Sequence, residues 1–188
     1  EKYASKVNSL ISGVTISIAD FFKGPNVSDK TMAFIGNNGT TKTTSGDIIV
    51  QSEEKTTIQA VAGAATAGGL ALGSSVVVIT LHGTAESYVG GTILANKDLR
   101  VIAQNNVYAN NIQTAAGTGG FIGLGGSVVI LNITGTTKAY AGGVLNITGT
   151  INIHALSNIE ANNLKAYAGA VGGAGLGAAV GIVNITGN

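Results

Sequence analysis

Cysteine and tryptophan are absent from this chain, proline occurs once (Pro25), and charge is sparse, with 10% of residues Asp, Glu, Lys or Arg and 5% aromatic. Each scarcity excludes something. Without cysteine there are neither disulfides nor thiolate metal sites. An average globular protein carries roughly 25% charged residues, so a compact domain with an ordinary charged surface fits poorly. Ten basic and nine acidic residues leave a net charge of +1. They form no basic stripe, so nothing here draws nucleic acid. Disorder fits no better, because disordered chains are polar, charged or proline-rich and this one is 45% hydrophobic. What fills the 188 residues is glycine (29 of them), alanine, β-branched residues, threonine and asparagine. That mixture suits an elongated, hydrogen-bond-rich β protein.

Internal repetition is plain. Asp47-Ile48-Ile49-Val50, Asp98-Leu99-Arg100-Val101 and Thr150-Ile151-Asn152-Ile153 recur at spacings of 51 and 52. Leu72-Gly73-Ser74-Ser75-Val76, Leu124-Gly125-Gly126-Ser127-Val128 and Leu176-Gly177-Ala178-Ala179-Val180 keep a spacing of 52, as do Thr84–Gly91 and Thr136–Gly143. Ile58–Gly63 is echoed by Ile112–Gly117 and by Leu164–Gly169. Within each repeat, Val, Ile and Thr alternate with polar residues in short runs bounded by Gly, Asn and Thr, which is a strand signal. No segment joins a helical stripe to both caps. The fold expected is therefore all-β, a β-solenoid (parallel β-helix) of about 52-residue repeats, each needing its neighbours to bury its apolar face. Four strand signals per repeat predict about two turns of coil in each.

The repeats divide the chain into 46–96, 97–148 and an incomplete 149–188, in one continuous solenoid. Residues 1–45 read as a degenerate partial repeat. There Val14–Ile18 echoes the Val76 segment, Ala33-Phe34-Ile35-Gly36 echoes Ser87-Tyr88-Val89-Gly90, and Asp20–Lys30 reads as an inserted loop. Glu1 is not a translation start, residues 1–30 lack a signal-peptide plan, and a fourth tyrosine segment is cut off after Asn188. The expectation is a piece of something longer. Asn ladders suit stacking: Asn110-Asn111 over Asn162-Asn163, with Thr56-Thr57 in the corresponding place, and Asn132-Ile133-Thr134-Gly135 over Asn184-Ile185-Thr186-Gly187. Asn26, Asn38, Asn132, Asn146 and Asn184 stand in Asn-x-Ser/Thr sequons, which in this repetitive context read as turn-forming residues rather than glycan sites.

The Gly/Ala run followed by Leu-Gly-x-[Ser/Ala]-Val, apolar alternation, Asn-Ile-Thr and Thr-x-x-Tyr-x-Gly-Gly resembles the long repeats of leukotoxin-type filamentous adhesins. These are filamentous-haemagglutinin-like bacterial exoproteins. Residues 46–188 carry the likeness. It implies a right-handed β-helix shaft, a secreted or cell-surface location, adhesion to a glycan or protein on a host or neighbouring cell, and passage through an outer-membrane translocator. Some members are also cytotoxic. The family's secretion signal and translocator domain are not among these residues.

Signals for chemistry are weak throughout. His82 and His154 occupy non-equivalent repeat positions without acidic neighbours and read as ordinary surface residues. Glu53-Glu54, beside Lys55, reads as a solvated turn. Ser74 and Ser127 lie in repeated strand segments, with no Gly-x-Ser-x-Gly elbow. Gly36–Thr43 has the wrong spacing for a phosphate loop, and Gly173–Ala178 is one copy of a glycine run with no helix to follow it. Calcium-binding nonapeptides need Asp among their glycines, and these runs have none. No catalytic, cofactor-binding or metal residue is assigned, and the ligand is unknown. Tyr88 and Tyr140 stand as an aromatic row, for packing first and a glycan second.

Three charge-free windows, at 60–81, 114–135 and 166–188, are long enough for a membrane helix. They are dense in Gly, Ser, Thr and β-branched residues and lack basic flanks and aromatic belts, so strands are the better reading. The leading expectation is an adhesive shaft. Behind it come a self-assembling filament or sheath subunit stacking through its β-edges, then a membrane-damaging segment. An enzyme comes last.

Overall fold

The structure, a computed structural model, describes residues 26–187. They contain no helix. The elements are β1 (Asn26–Ile35), β2 (Thr40–Thr43), β3 (Ile48–Val89), β4 (Thr92–Ala95), β5 (Leu99–Ala141), β6 (Val144–Ile147), β7 (Ile151–Asn162) and β8 (Lys165–Gly187). β1, β3, β5 and β7 follow one another in one parallel sheet, with β8 also on β5. The short strands β2, β4 and β6 form a second parallel sheet. The protein is a parallel β-solenoid.

β3 runs for 42 residues. At about 3.3 Å per residue a straight strand of that length would span about 140 Å. Yet the hydroxyls of Ser52 and Ser87 lie 2.8 Å apart, and those of Thr114 and Ser127 also touch. Each long strand is therefore two limbs facing each other. The outgoing limb of β3 runs from Ile48 to about Gly68, and the return limb runs back to Val89. Period-2 alternation decides which side chains meet between the limbs: Ile48, Val50, Ser52 and Glu54 are buried while Ile49, Gln51, Glu53 and Lys55 are exposed.

The pairing register fixes what one repeat is. Leu72 pairs with Leu124, Val76 with Val128 and Tyr88 with Tyr140; Leu124 then pairs with Leu176 and Val128 with Val180. From β3 onward residues stack on their equivalents 51 or 52 positions on, and β1 stacks on β3 at a spacing of 54, so a 52-residue repeat makes one turn rather than two. The expectation of two turns fails because Gly- and Asn-marked breaks that read as turns lie inside continuous limbs. Two alignments shift as well. Gln59 faces the pair Asn110-Asn111, at a register slip between Ile58 and Ala60. As a result Ile112 stacks on Ala60 and not on Ile58, and Thr56-Thr57 meet Val107-Tyr108. Asn111 and Asn163 both take positive φ (53° and 55°) there, and the Asn163 side-chain amide donates to Asn111 Oδ1 at 3.3 Å. Asn132 and Asn184 form the other ladder, at 2.8 Å, within strands rather than at turns.

Near the N-terminus, Ala33-Phe34-Ile35 pairs with Ser87-Tyr88-Val89, as the sequence echo implies. Asn26–Lys30 is not loop: it belongs to β1 and pairs with Thr80–Thr84. Val14–Ile18 and the rest of the expected loop lie outside the described residues.

The space between the limbs is filled in layers. Small residues line its far end, where Thr114, Ala116 and Thr118 face Gly123, Gly125 and Ser127. The limbs join at the stacked glycines 68, 120 and 172; a Cβ on Gly120 would overlap the Gly68 carbonyl and one on Gly172 the Gly120 carbonyl. An aliphatic layer of Ile79, Leu81, Val107, Ile112, Val129, Leu131 and Ile133 comes next. A second aliphatic layer, of Ile48, Val50, Val89, Ile93, Leu99 and Val101, fills the base beneath β4. Between the two aliphatic layers lies a polar one.

Candidate functional site

The polar layer is built by alternation. Counting inward from Ile48 and Val50, the next two positions on the outgoing limb are Ser52 and Glu54, and both are buried. In the turn above, Ala103 stacks on Ser52 and Asn105 on Glu54; Ser157 stacks on Asn105. The return limb answers with small residues. Gly83 and Gly135 face Asn105, whose side-chain amide would stand only 3.1 Å from a Cβ on either and donates to the Gly83 carbonyl at 3.3 Å. Ser87 donates to the Ile102 carbonyl at 2.7 Å and stands 2.8 Å from Ser52. Thr31 donates to Glu54 Oε2 at 2.8 Å. This overturns the reading of Glu53-Glu54 as a solvated turn. Both lie mid-strand, with Glu53 outside and Glu54 only 3% exposed. The signal was present in the sequence, because Ile48-x-Val50-x-Ser52-x-Glu54 is a single period-2 run.

Phe34, Tyr88 and Tyr140 form the aromatic row on the outer face of the return limb. Successive ring centroids are 5.1 and 5.0 Å apart, with interplanar angles of 8° and 2°. That spacing is the rise between strands, and it presses face against face. A sugar stacks on ring faces; this column turns edges outward, which suits packing. Beside it Lys30 contacts Glu86 at 3.1 Å, and the Tyr140 hydroxyl donates to Glu86 at 3.4 Å. Burial, then the Glu86 carboxylate, raises the Tyr140 pKa above its usual 10.0.

A second axial column closes the base. Asp47 Oδ1 accepts the Asp98 N–H at 3.3 Å and Asp98 Oδ1 accepts the Thr150 N–H at 2.9 Å. The bonds from Thr150, with Arg100 and Lys97 nearby, hold the Asp98 carboxyl below its ordinary 3.8.

On the outer face of the return limb, the Leu72, Leu124 and Leu176 column stands beside Ser74, Gly126 and Ala178. The difference in size leaves an open apolar groove of about 570 Å³ along the coil axis.

Compared with known proteins, the chain matches no family model, no curated protein and no solved structure.

The remaining candidates are not brought together. His82 lies on the return limb of β3, while His154 lies in β7 on the outgoing side. Ser74 is exposed in the groove; Ser127 is buried against Thr114. Gly36–Gly39 forms a tight turn, closed by the Gly39 N–H on the Gly36 carbonyl at 3.0 Å, and Thr40–Thr43 is strand. Gly173–Ala178 lies within β8. Among the described residues no group of three or more His, Cys, Asp or Glu is placed to hold a metal ion. No helix among them is long and apolar enough to cross a membrane.

Proposed function

We propose that the chain is a shaft segment of a large secreted or surface-displayed bacterial exoprotein, holding an adhesive surface away from the cell and contributing contacts along its outer columns. The observation that carries this reading is the in-register stacking of the repeats, 51 or 52 residues apart from β3 onward. Each turn rises by about 4.8 Å and repeats the same outer columns, so length is gained by adding turns with no new packing problem. The resemblance to filamentous-haemagglutinin-like repeats adds the location and the partner class: a host or neighbouring-cell glycan or protein. No cofactor enters this reading.

The same register favours a second reading, a filament or sheath subunit. One turn presents to the next the same residues that a second copy would present, so end-to-end stacking between chains uses complementarity the fold already has. Negative-stain electron microscopy over a concentration series separates the two. Short rods whose length is independent of concentration support the shaft. Filaments that lengthen with concentration reject it in favour of self-assembly.

A further inference from the structure

The outer face of the return limb carries a ridge beside a groove. Leu72, Leu124 and Leu176 stack into the ridge. Leu124 has a turn on either side and is still 40% exposed, so it stands out from the sheet and is not simply uncovered at an open end. Two residues on, Ser74, Gly126 and Ala178 floor the groove, and the next outward column is Val76, Val128 and Val180. Ridge and floor are therefore about 7 Å apart across the sheet, and both recur once per turn. Residues 70–80, 122–132 and 174–184 contain no Asp, Glu, Lys or Arg. The Asn132–Asn184 ladder gives this patch a polar, uncharged rim, as interfaces commonly have.

Such a face is complementary to itself. A half-turn about a line parallel to the coil axis, set between ridge and floor, exchanges the two columns. Each copy's ridge then enters the other's groove, and the shared axial period seats all three leucines at once. A two-fold perpendicular to the coil axis fails, because it either sets ridge against ridge or leaves both faces pointing the same way. Contacts between identical copies bring like charges together at a cost, and this patch has none to repel. A lipid surface, by contrast, is drawn by basic residues, which the patch also lacks. We propose that this face is a lateral dimer interface, in which two coils lie side by side with the same polarity and interdigitate their leucine ridges as a dry zipper. It uses different residues from end-to-end stacking, which works through the open strand edges. Eleven residues by three turns cover about 500 Å², below the roughly 800 Å² per partner of a stable interface. Pairing of this chain is therefore weak and reversible, and each further turn would tighten it.

The test is sedimentation velocity of the full chain from micromolar to millimolar concentration. The wild type should move from monomer to dimer and stop there. A ridge variant, Leu72→Ala with Leu124→Ala and Leu176→Ala, and a groove variant, Ser74→Val with Gly126→Val and Ala178→Val, should each weaken dimerisation at least tenfold. Both should stay folded by circular dichroism, since the leucines are exposed, a Cβ on Gly126 meets nothing within 4 Å, and valine favours strands. If a triple variant does not fold, Leu124→Ala and Gly126→Val alone should show the same pattern. Mixing dye-labelled ridge variant with groove variant should restore a dimer, because the intact ridge meets the intact groove and the shortened ridge meets the filled one. A wild type monomeric throughout overturns the proposal, as do variants that dimerise like the wild type or a mixture that stays monomeric. Growth past the dimer into filaments, undiminished in both variants, overturns it in favour of the strand edges. Liposome binding that the ridge variant loses, without dimerisation of the wild type, overturns it in favour of a lipid.

Discussion

Tyr88 has a ring on each side, and Tyr140 has one such neighbour in Phe34–Tyr88–Tyr140. A stacked aromatic pair contributes roughly 0.5–1.5 kcal/mol beyond its buried area. Tyr88→Ala should therefore cost about 1–3 kcal/mol in urea denaturation, and Tyr140→Ala less. Absorbance titration at alkaline pH should place the Tyr140 ionisation above that of a free tyrosine. Because its pKa is raised in the folded protein, its contribution to stability is present below pH 10 and is lost as the pH climbs through the folded value. Asp98 behaves oppositely. Its folded pKa is depressed, so the contribution is full above about pH 4 and disappears as the pH falls through the folded value. Asp98→Asn should flatten the acid limb of a stability–pH curve and leave the alkaline limb unchanged.

At the scale of the limb, two places accept only certain residues. Asn111 sits at positive φ, a conformation asparagine tolerates and β-branched residues do not. Asn111→Gly should change stability by under about 0.5 kcal/mol, whereas Asn111→Val should lose about 1–3 kcal/mol. Gly120, at the join of the two limbs, has the Gly68 carbonyl where a side chain would go; Gly120→Ala should cost about 1–3 kcal/mol through overpacking. The repeat and the strands were legible in the sequence because stacking demands like residues at like positions, as in the Leu72, Leu124 and Leu176 column. The number of turns per repeat was not. Glycines such as Gly73 and Gly123 mark close approach of the limbs as readily as turns, and only pairing distinguishes the two. Glu54 was obscured by its neighbours: Glu53 and Lys55 face solvent, and three consecutive charges read as a surface until the alternation is followed inward.

For the whole molecule, charge is segregated across the coil. Residues 101–137 contain no Asp, Glu, Lys or Arg, and neither do 56–81; in register they form a far half that is uncharged in these two turns and carries only Glu160 and Lys165 in the third, while Lys30, Glu86, Lys97, Asp98 and Arg100 gather toward the base. The exposed Leu72, Phe121, Val171 and Leu176 lie on that far half, which gives the membrane-damaging reading its one point of contact with the structure. Dye release from anionic and neutral liposomes at micromolar protein tests it, and intact vesicles reject it. The turn count has its own test. Deleting residues 97–148 removes one whole turn and should leave a folded β-rich protein by circular dichroism; deleting half as many should not, since it would bring unlike columns together.

The backbone hydrogen bonds between turns lie along the coil axis, so a load on the two ends pulls on them lengthwise instead of shearing them. Peeling one turn away would release a chain of 52 residues, about 170 Å of slack at the usual extended length per residue. Under tension the coil would yield in equal steps, one turn at a time, each dissipating work before the next is loaded. A tether built this way lengthens under drag without parting, and it rewinds when the pull stops.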